Sequence, residues 1–320
     1  MRIDHDIHTH TLFSSCCYDP AATMKAFVSK ARELGHRVIG ISNHLWDEKV
    51  EGASDWYRGQ CIEYGFEAKY AIPEDTGGVR VLFGVETEYR GMSDILGMTA
   101  QTASRFDYVL IPHTHTHMKN FVIEESPDVK KYRSDLTGEL RRKVPGLSEE
   151  MAARMAGSLK YSEVRALIGS GATVDEEKYL CDFCFSSFES LMKNTEFTGI
   201  VRTVPTLIAH PFYPCGLTKE ERSRVFGYIL EQKDRLYSDF SECAGLGVGL
   251  DVNLCAYSCP ENGYSDDPMV QIMRIALEAG CRFAFGTDSH SVSGLEKIRR
   301  ADAVSCAIGI GEDDLIPLVR

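Results

Sequence analysis

The chain of 320 residues is 43% hydrophobic and 26% charged, ordinary globular proportions that exclude a wholly disordered or fibrous polypeptide. Acidic residues outnumber basic ones 47 to 35, giving a formal net charge of −12, which argues against broad non-specific nucleic-acid binding. The length suits two ordinary domains, or one α/β barrel with insertions.

The N-terminus, Met1-Arg2-Ile3-Asp4-His5-Asp6, is polar at once and has no signal-peptide pattern. No run of about 18 apolar residues is present, so no membrane-spanning helix is expected. Eleven cysteines, an odd number in a long chain, read as reduced thiols of a cytoplasmic protein.

In chain order the pattern alternates strand and helix. Strands are predicted at Arg2–His8, Val38–Ser42, Val79–Val85, Tyr108–Pro112, Val204–Ala209, Gly247–Val252 and Arg282–Gly286. Helices are predicted at Pro20–Leu34, Ser54–Tyr70, Thr218–Leu236, Asp267–Ala279 and Gly294–Ala301. The stretch from His113 to His210 shows no strand series. Charged segments with helical spacing, and a helix at Cys181–Asn194, make residues 119–198 a largely helical insertion over the mouth of the sheet. Seven strands alternating with helices imply a parallel sheet, most simply a closed barrel in one domain spanning residues 1–320.

The ten histidines carry the chemical signal, because most stand where predicted strands end. His8 and His10 alternate along an extended segment and so project to one face. His44 ends the second strand, Glu86 the third, His113 the fourth and His210 the fifth, while Asp288 and His290 follow the seventh. Strand ends at one face of a barrel converge on one pocket. A lone histidine is more often a packing or surface residue, but that reading must account for six strand ends at once. Imidazoles mixed with carboxylates suit zinc, iron or manganese rather than a calcium cage. The set is too large for one tetrahedral ion, so two or three divalent ions are expected, with Glu86 as the bridge.

This order of HxH, His, Glu, His, His and DxH resembles the polymerase and histidinol phosphatase (PHP) family. The resemblance runs from Asp6 to His290, the insertion apart, and implies a distorted seven-stranded α/β barrel with a trinuclear metal site. It implies one ion on His8, His10, Glu86 and Asp288. A second would share Glu86 with His113 and His210, and a third would sit on His44 and His290. Cys16 stands where the family places a further Asp or His of that third site. It is either a thiolate ligand or a buried free thiol. Asn43 replaces the acidic residue that often precedes the second histidine motif. Asp251-Val252-Asn253 resembles a pocket-lining acidic-x-Asn segment, or is a turn after a strand. His115 and His117 either touch substrate phosphate or belong to an exposed loop. Cys181 and Cys184 have knuckle spacing without a second pair and read as helical core; Cys255 and Cys259 read with the same caution.

The resemblance implies a metal-dependent phosphoesterase that hydrolyses a small, histidinol-phosphate-like monoester through metal-activated hydroxide. Glu86, Asp288 and His290 would be central to catalysis. Two alternatives remain. The amidohydrolase barrel also opens with HxH, but its bridging lysine has no counterpart here. A non-catalytic metal-binding PHP module is opposed by the nearly complete ligand set. The expected partner is a small phosphorylated substrate, with neither membrane nor nucleic acid, and the sequence leaves the oligomeric state open.

Overall fold

The computed structural model describes residues 1–257 and 263–320. Cys259 lies outside the described residues. Strands β1 (His5–Asp6), β2 (Val38–Ile41), β3 (His44–Leu45), β4 (Arg80–Phe83) and β5 (Val85–Thr87) come first. A short antiparallel hairpin follows, β6 (Tyr89–Arg90) with β7 (Ile95–Leu96). Then come β8 (Val109–Pro112), β9 (Thr206–Ala209), β10 (Gly249–Asn253) and β11 (Arg282–Gly286).

Two sheets are wholly parallel, in the orders β1-β2-β4 and β11-β10-β9-β8-β5-β3. β2, β8, β9 and β10 are buried along their whole length, as strands covered on both faces must be. β1 also meets β11: Ile7 N donates to Phe285 O at 3.0 Å, and Thr9 bridges Ser289 in parallel. Side chains extend that seam, since Thr287 Oγ1 donates to Asp6 Oδ2 at 2.6 Å and Phe285 N to His5 Nε2 at 3.0 Å.

The predicted third strand is broken in two, and a short β3 follows the predicted second strand beyond its end. At Ser42-Asn43 the ladder gives way to side chains: Thr9 N donates to Ser42 Oγ at 3.1 Å and Thr11 N to Asn43 Oδ1 at 2.7 Å. At Gly84 the buried Tyr108 ring occupies the space a side chain would need, 2.2 Å from where a Cβ would stand. The Tyr108 hydroxyl donates to Ile7 O at 2.6 Å and so ties β8 to the HxH segment.

The helices follow local signals. α1 (Met24–Leu34) is capped by Thr23, whose side chain accepts from Ala26 N, and stops at Gly35 in the left-handed region. Its Met24, Phe27, Val28 and Ala31 form the buried stripe. The predicted helix over Ser54–Tyr70 is two, α2 (Asp55–Arg58) and α3 (Ile62–Tyr70), with α4 (Ala100–Ala103) after the hairpin. The region between β8 and β9 carries α5 (Pro127–Lys143), α6 (Glu149–Gly157), α7 (Tyr161–Ile168), α8 (Glu176–Lys193) and α9 (Thr195–Val201). Cys181 and Cys184 are buried on α8. The predicted Thr218–Leu236 helix breaks at Gln232 into α10 (Lys219–Glu231) and α11 (Lys233–Gly245). α12 (Pro268–Glu278) precedes β11, and a 3-10 turn at Ser293–Arg300 leads into α13 (Ala301–Ile308). No helix among the described residues is long and apolar enough to cross a membrane.

Candidate metal centre

The C-terminal ends of the parallel strands deliver a dense cluster of ionisable side chains. Glu86, on β5, lies at its centre and is 1% exposed. Its two oxygens face different rings. Oε2 is 3.3 Å from His8 Nε2, 3.3 Å from His10 Nε2 and 3.5 Å from His44 Nδ1. Oε1 is 3.6 Å from His210 Nε2 and 3.9 Å from His115 Nε2. Asp288 Oδ1 closes the first side, 3.6 Å from His8 Nε2 and 3.3 Å from His10 Nε2. His290 stacks on His10 at 4.5 Å between centroids, and His44 stacks on His10 at 4.7 Å.

Ligand-type atoms of His10, Cys16 and His290 lie within 4.8 Å of one another. Burial opposes ionisation of the Cys16 thiol, but His10, His290 and His44 outweigh it and hold the thiol down to about 3. The same logic acts on the carboxylates. Burial would raise Glu86 and Asp288, yet the surrounding imidazoles keep both well below the usual carboxylate range.

Of the residues expected here, His8, His10, Cys16, His44, Glu86, His210, Asp288 and His290 are brought together. Asn253 joins them by donating from Nδ2 to Asp288 Oδ2 at 3.2 Å. His113 is not among them. It sits behind the cluster, its ring 5.1 Å from both Phe188 and Phe212, and its Nε2 accepts the Phe212 backbone N–H at 3.0 Å. Burial lowers its pKa to about 3, with His210 adding to the effect. His115, read from sequence as a substrate or loop residue, occupies the place expected of His113. The chain leaves the strand at Pro112 and turns, with Met118 N donating to His115 O at 2.9 Å, so strand alternation no longer applies. His117 is exposed at the rim.

Two carboxylates orient the rings: Asp251, read from sequence as pocket-lining or as part of a turn, and Glu88, given no role there. Asp251 Oδ2 is 2.7 Å from His8 Nδ1, and neither side chain is exposed. Glu88 Oε2 is 2.6 Å from His115 Nδ1 and accepts from the Tyr57 hydroxyl at 3.0 Å. Burial would lower the His115 pKa, but Glu88 and then Glu86 raise it to about 9. Each carboxylate fixes the proton on Nδ1 and turns Nε2 toward the centre, a support typical of metal-binding histidines. The signal for Glu88 was its spacing of two from Glu86, which places both on one face of a strand. For Asp251 the signal was the acidic-x-Asn segment, which pointed to the pocket but not to His8.

The backbone is strained where the site is built. His210, Phe212 and Asp288 have φ of 31°, 57° and 47°, values that non-glycine residues adopt only when their surroundings impose them. Cys16, Tyr18, Trp56, Tyr57 and Met118 wall a cavity of about 450 Å³ over the cluster, and among the described residues lining it there is no Lys or Arg.

A family model described as the PHP domain matches residues 6–214, well over half of the chain. No curated protein matches the sequence. Among solved structures, a histidinol phosphate phosphatase (HISK) from Lactococcus lactis subsp. lactis Il1403, complexed with Zn, L-histidinol and phosphate, is similar over 97% of this chain and 95% of that one, at 14% identity and a TM-score of 0.44. The catalytic domain of a beta-amylase from Paenibacillus polymyxa is similar over 96% and 91%, at 11% identity and a TM-score of 0.37. Both likenesses are distant.

Proposed function

Because the chain belongs to the PHP domain family, we propose that it is a metal-dependent phosphoesterase acting on a small phosphate monoester of the histidinol-phosphate type. The observation that carries this reading is the division of imidazoles between the two oxygens of Glu86, the arrangement of a carboxylate bridging two cations.

The donors fit such ions. His10 Nδ1 and Nε2, His44 Nδ1 and Glu86 Oε1 are buried and have no hydrogen-bond partner. Each such atom costs about 1–3 kcal/mol when left unpaired, and bound cations would satisfy atoms on all three residues. Nitrogen, oxygen and sulfur donors suit zinc, iron or manganese. One ion would be held by His8, His10, Glu86 and Asp288, a second by Glu86, His115 and His210, and a third by His44, His290 and Cys16. Two or three bound ions supply Lewis acidity and activated water for attack on phosphorus.

The chain's own residues do the rest. Asp251 and Glu88 hold His8 and His115 in one tautomer. Trp56 and Met118 shield the cavity from water and offer an apolar wall to a flat leaving group. Since no Lys or Arg is among the described residues lining the cavity, most of the ester's negative charge falls to the ions to balance. The same reading takes the strands as seven staves of one distorted barrel, β2–β3 and β4–β5 each forming one bent stave. Residues 119–198 are then an insertion at its mouth. α8 of that insertion supports the site from behind, since Ser187 Oγ donates to His113 O at 3.1 Å.

The test is elemental analysis of protein purified without chelator, with turnover measured on histidinol phosphate, other phosphomonoesters, a phosphodiester and an amide. Two or more transition-metal ions per chain with monoester turnover are expected. Less than one ion, or turnover of the amide alone, would overturn the reading.

A further inference from the structure

The loop after β9 carries a cysteine that the ligand pattern read from the sequence does not include. Cys215 lines the same cavity as His115, His210 and Glu86. Its backbone is fixed on both sides: Cys215 N donates to Thr114 O at 3.1 Å, and Thr116 Oγ1 donates to Cys215 O at 2.8 Å. These bonds lock the loop of His115 to the loop of Cys215. The next residue, Gly216, has φ of 80°, and a Cβ there would lie 2.4 Å from His117 Cβ. Only glycine lets the two loops approach this closely.

The result is a convergence of donors. Ligand-type atoms of His115, His210 and Cys215 all lie within 4.8 Å of one another. A fourth, Glu86 Oε1, is 3.6 Å from His210 Nε2, is buried and has no hydrogen-bond partner. Around a tetrahedral zinc ion, nitrogen at about 2.0–2.1 Å and sulfur at about 2.3 Å leave neighbouring donors roughly 3.3–3.6 Å apart. Small side-chain rotations close the difference. The thiol otherwise makes only a long contact, 3.6 Å to Tyr213 O.

We propose that Cys215 is the fourth ligand, as a thiolate, of the ion shared by Glu86, His115 and His210. The inference rests on the metal-centre reading above. On binding, the Cys215 S–H bond breaks, its proton passes to solvent and sulfur donates an electron pair to the ion. No electron transfer is involved. A thiolate here selects zinc or ferrous iron over manganese or magnesium at this position.

Cobalt(II) substitution tests it, because thiolate-to-cobalt charge transfer gives a near-ultraviolet band that imidazole and carboxylate do not. Cys16→Ser is the reference, which removes the other candidate thiolate. The reference is expected to show the band, and Cys16→Ser/Cys215→Ser to lose it while still binding cobalt. A band of equal strength in both proteins would overturn the proposal and leave the metal centre standing. Failure of cobalt to bind the wild type would overturn both. If the double variant does not fold, X-ray absorption of zinc-loaded Cys16→Ser decides the question. Sulfur at about 2.3 Å from zinc supports the proposal, and a shell of nitrogen and oxygen alone overturns it.

Discussion

Asp251→Asn is the sharpest probe of how the site is held. The carboxylate lies 2.7 Å from His8 Nδ1 with both side chains fully buried, the short geometry of a charge-assisted bond. It also accepts the His210 backbone N–H at 3.4 Å, so one side chain serves both halves of the cluster. The amide can still accept from Nδ1–H through its oxygen, but without charge. If it turns its NH2 to His8 instead, the ring must carry its proton on Nε2, where a metal would bind. Loss of such a supporting group costs about 10–100-fold in metal affinity or activity. That equals about 1.4–2.8 kcal/mol. Asp251→Ala should be worse, leaving a buried N–H unpaired at a further cost of about 1–3 kcal/mol. Gly286 leaves room for this carboxylate, since a Cβ there would lie 2.7 Å from Asp251 Oδ1. Zinc competition against a chromophoric chelator, with kcat/KM on a phosphomonoester, measures both variants. If both bound zinc within about twofold of wild type and turned over normally, the bond would be packing alone and the orientation argument would fail.

Glu86→Gln should lose most activity and at least one ion per chain while remaining folded, as elemental analysis and circular dichroism would report; full metal content with normal turnover refutes the bridge. His115→Ala should lower metal content, whereas His113→Ala should lower thermal stability and leave metal content intact; the opposite pattern would restore His113 as the ligand. Away from the site, Asp239 on α11 has a buried oxygen with no partner, and burial, aided by Glu189 and Glu242 against Arg235 and Lys193, raises its carboxyl to about 7. The unfolded chain releases this proton near pH 4 and the folded one near 7, so the group's destabilising effect grows across that window and is complete above it. Asp239→Asn should therefore raise Tm at pH 8 and leave it unchanged at pH 4, and an equal shift at both pH values would exclude ionisation as the cause.

The strand ends were legible because the chemistry punctuates them. Val109–Pro112, Thr206–Ala209 and Arg282–Gly286 are short apolar runs ending at ionisable residues, and buried parallel strands must read that way. The choice between His113 and His115 was not legible. It depends on a turn beginning at Pro112 and on a backbone N–H from Phe212, which is 99 positions away. Cys215 and the bond of Asp251 to His8 were hidden for the same reason, since each acquires its meaning from a loop or strand distant in sequence. The break at Gln232 and the Tyr89–Leu96 hairpin were missed because two-residue strands and a one-residue interruption leave no periodicity to detect.

The seam between β1 and β11 dictates when the site can exist. Thr287 and Asp6 are 281 positions apart, yet their bond helps fix the segment that carries His8 and His10. On the ribosome the HxH segment emerges well before its neighbour Phe285, so these histidines wait for that later segment to be made. Until then β1 presents an unpaired edge, the kind of surface that chaperones cover. On the proposed function, metal capture would follow synthesis of β11, and nascent chains ending before Arg282 should be the aggregation-prone species. The segment matching the family model ends at residue 214, before Asp251 and Asp288. Cut out alone, it would lack the strands that carry Asp251 and lead to Asp288.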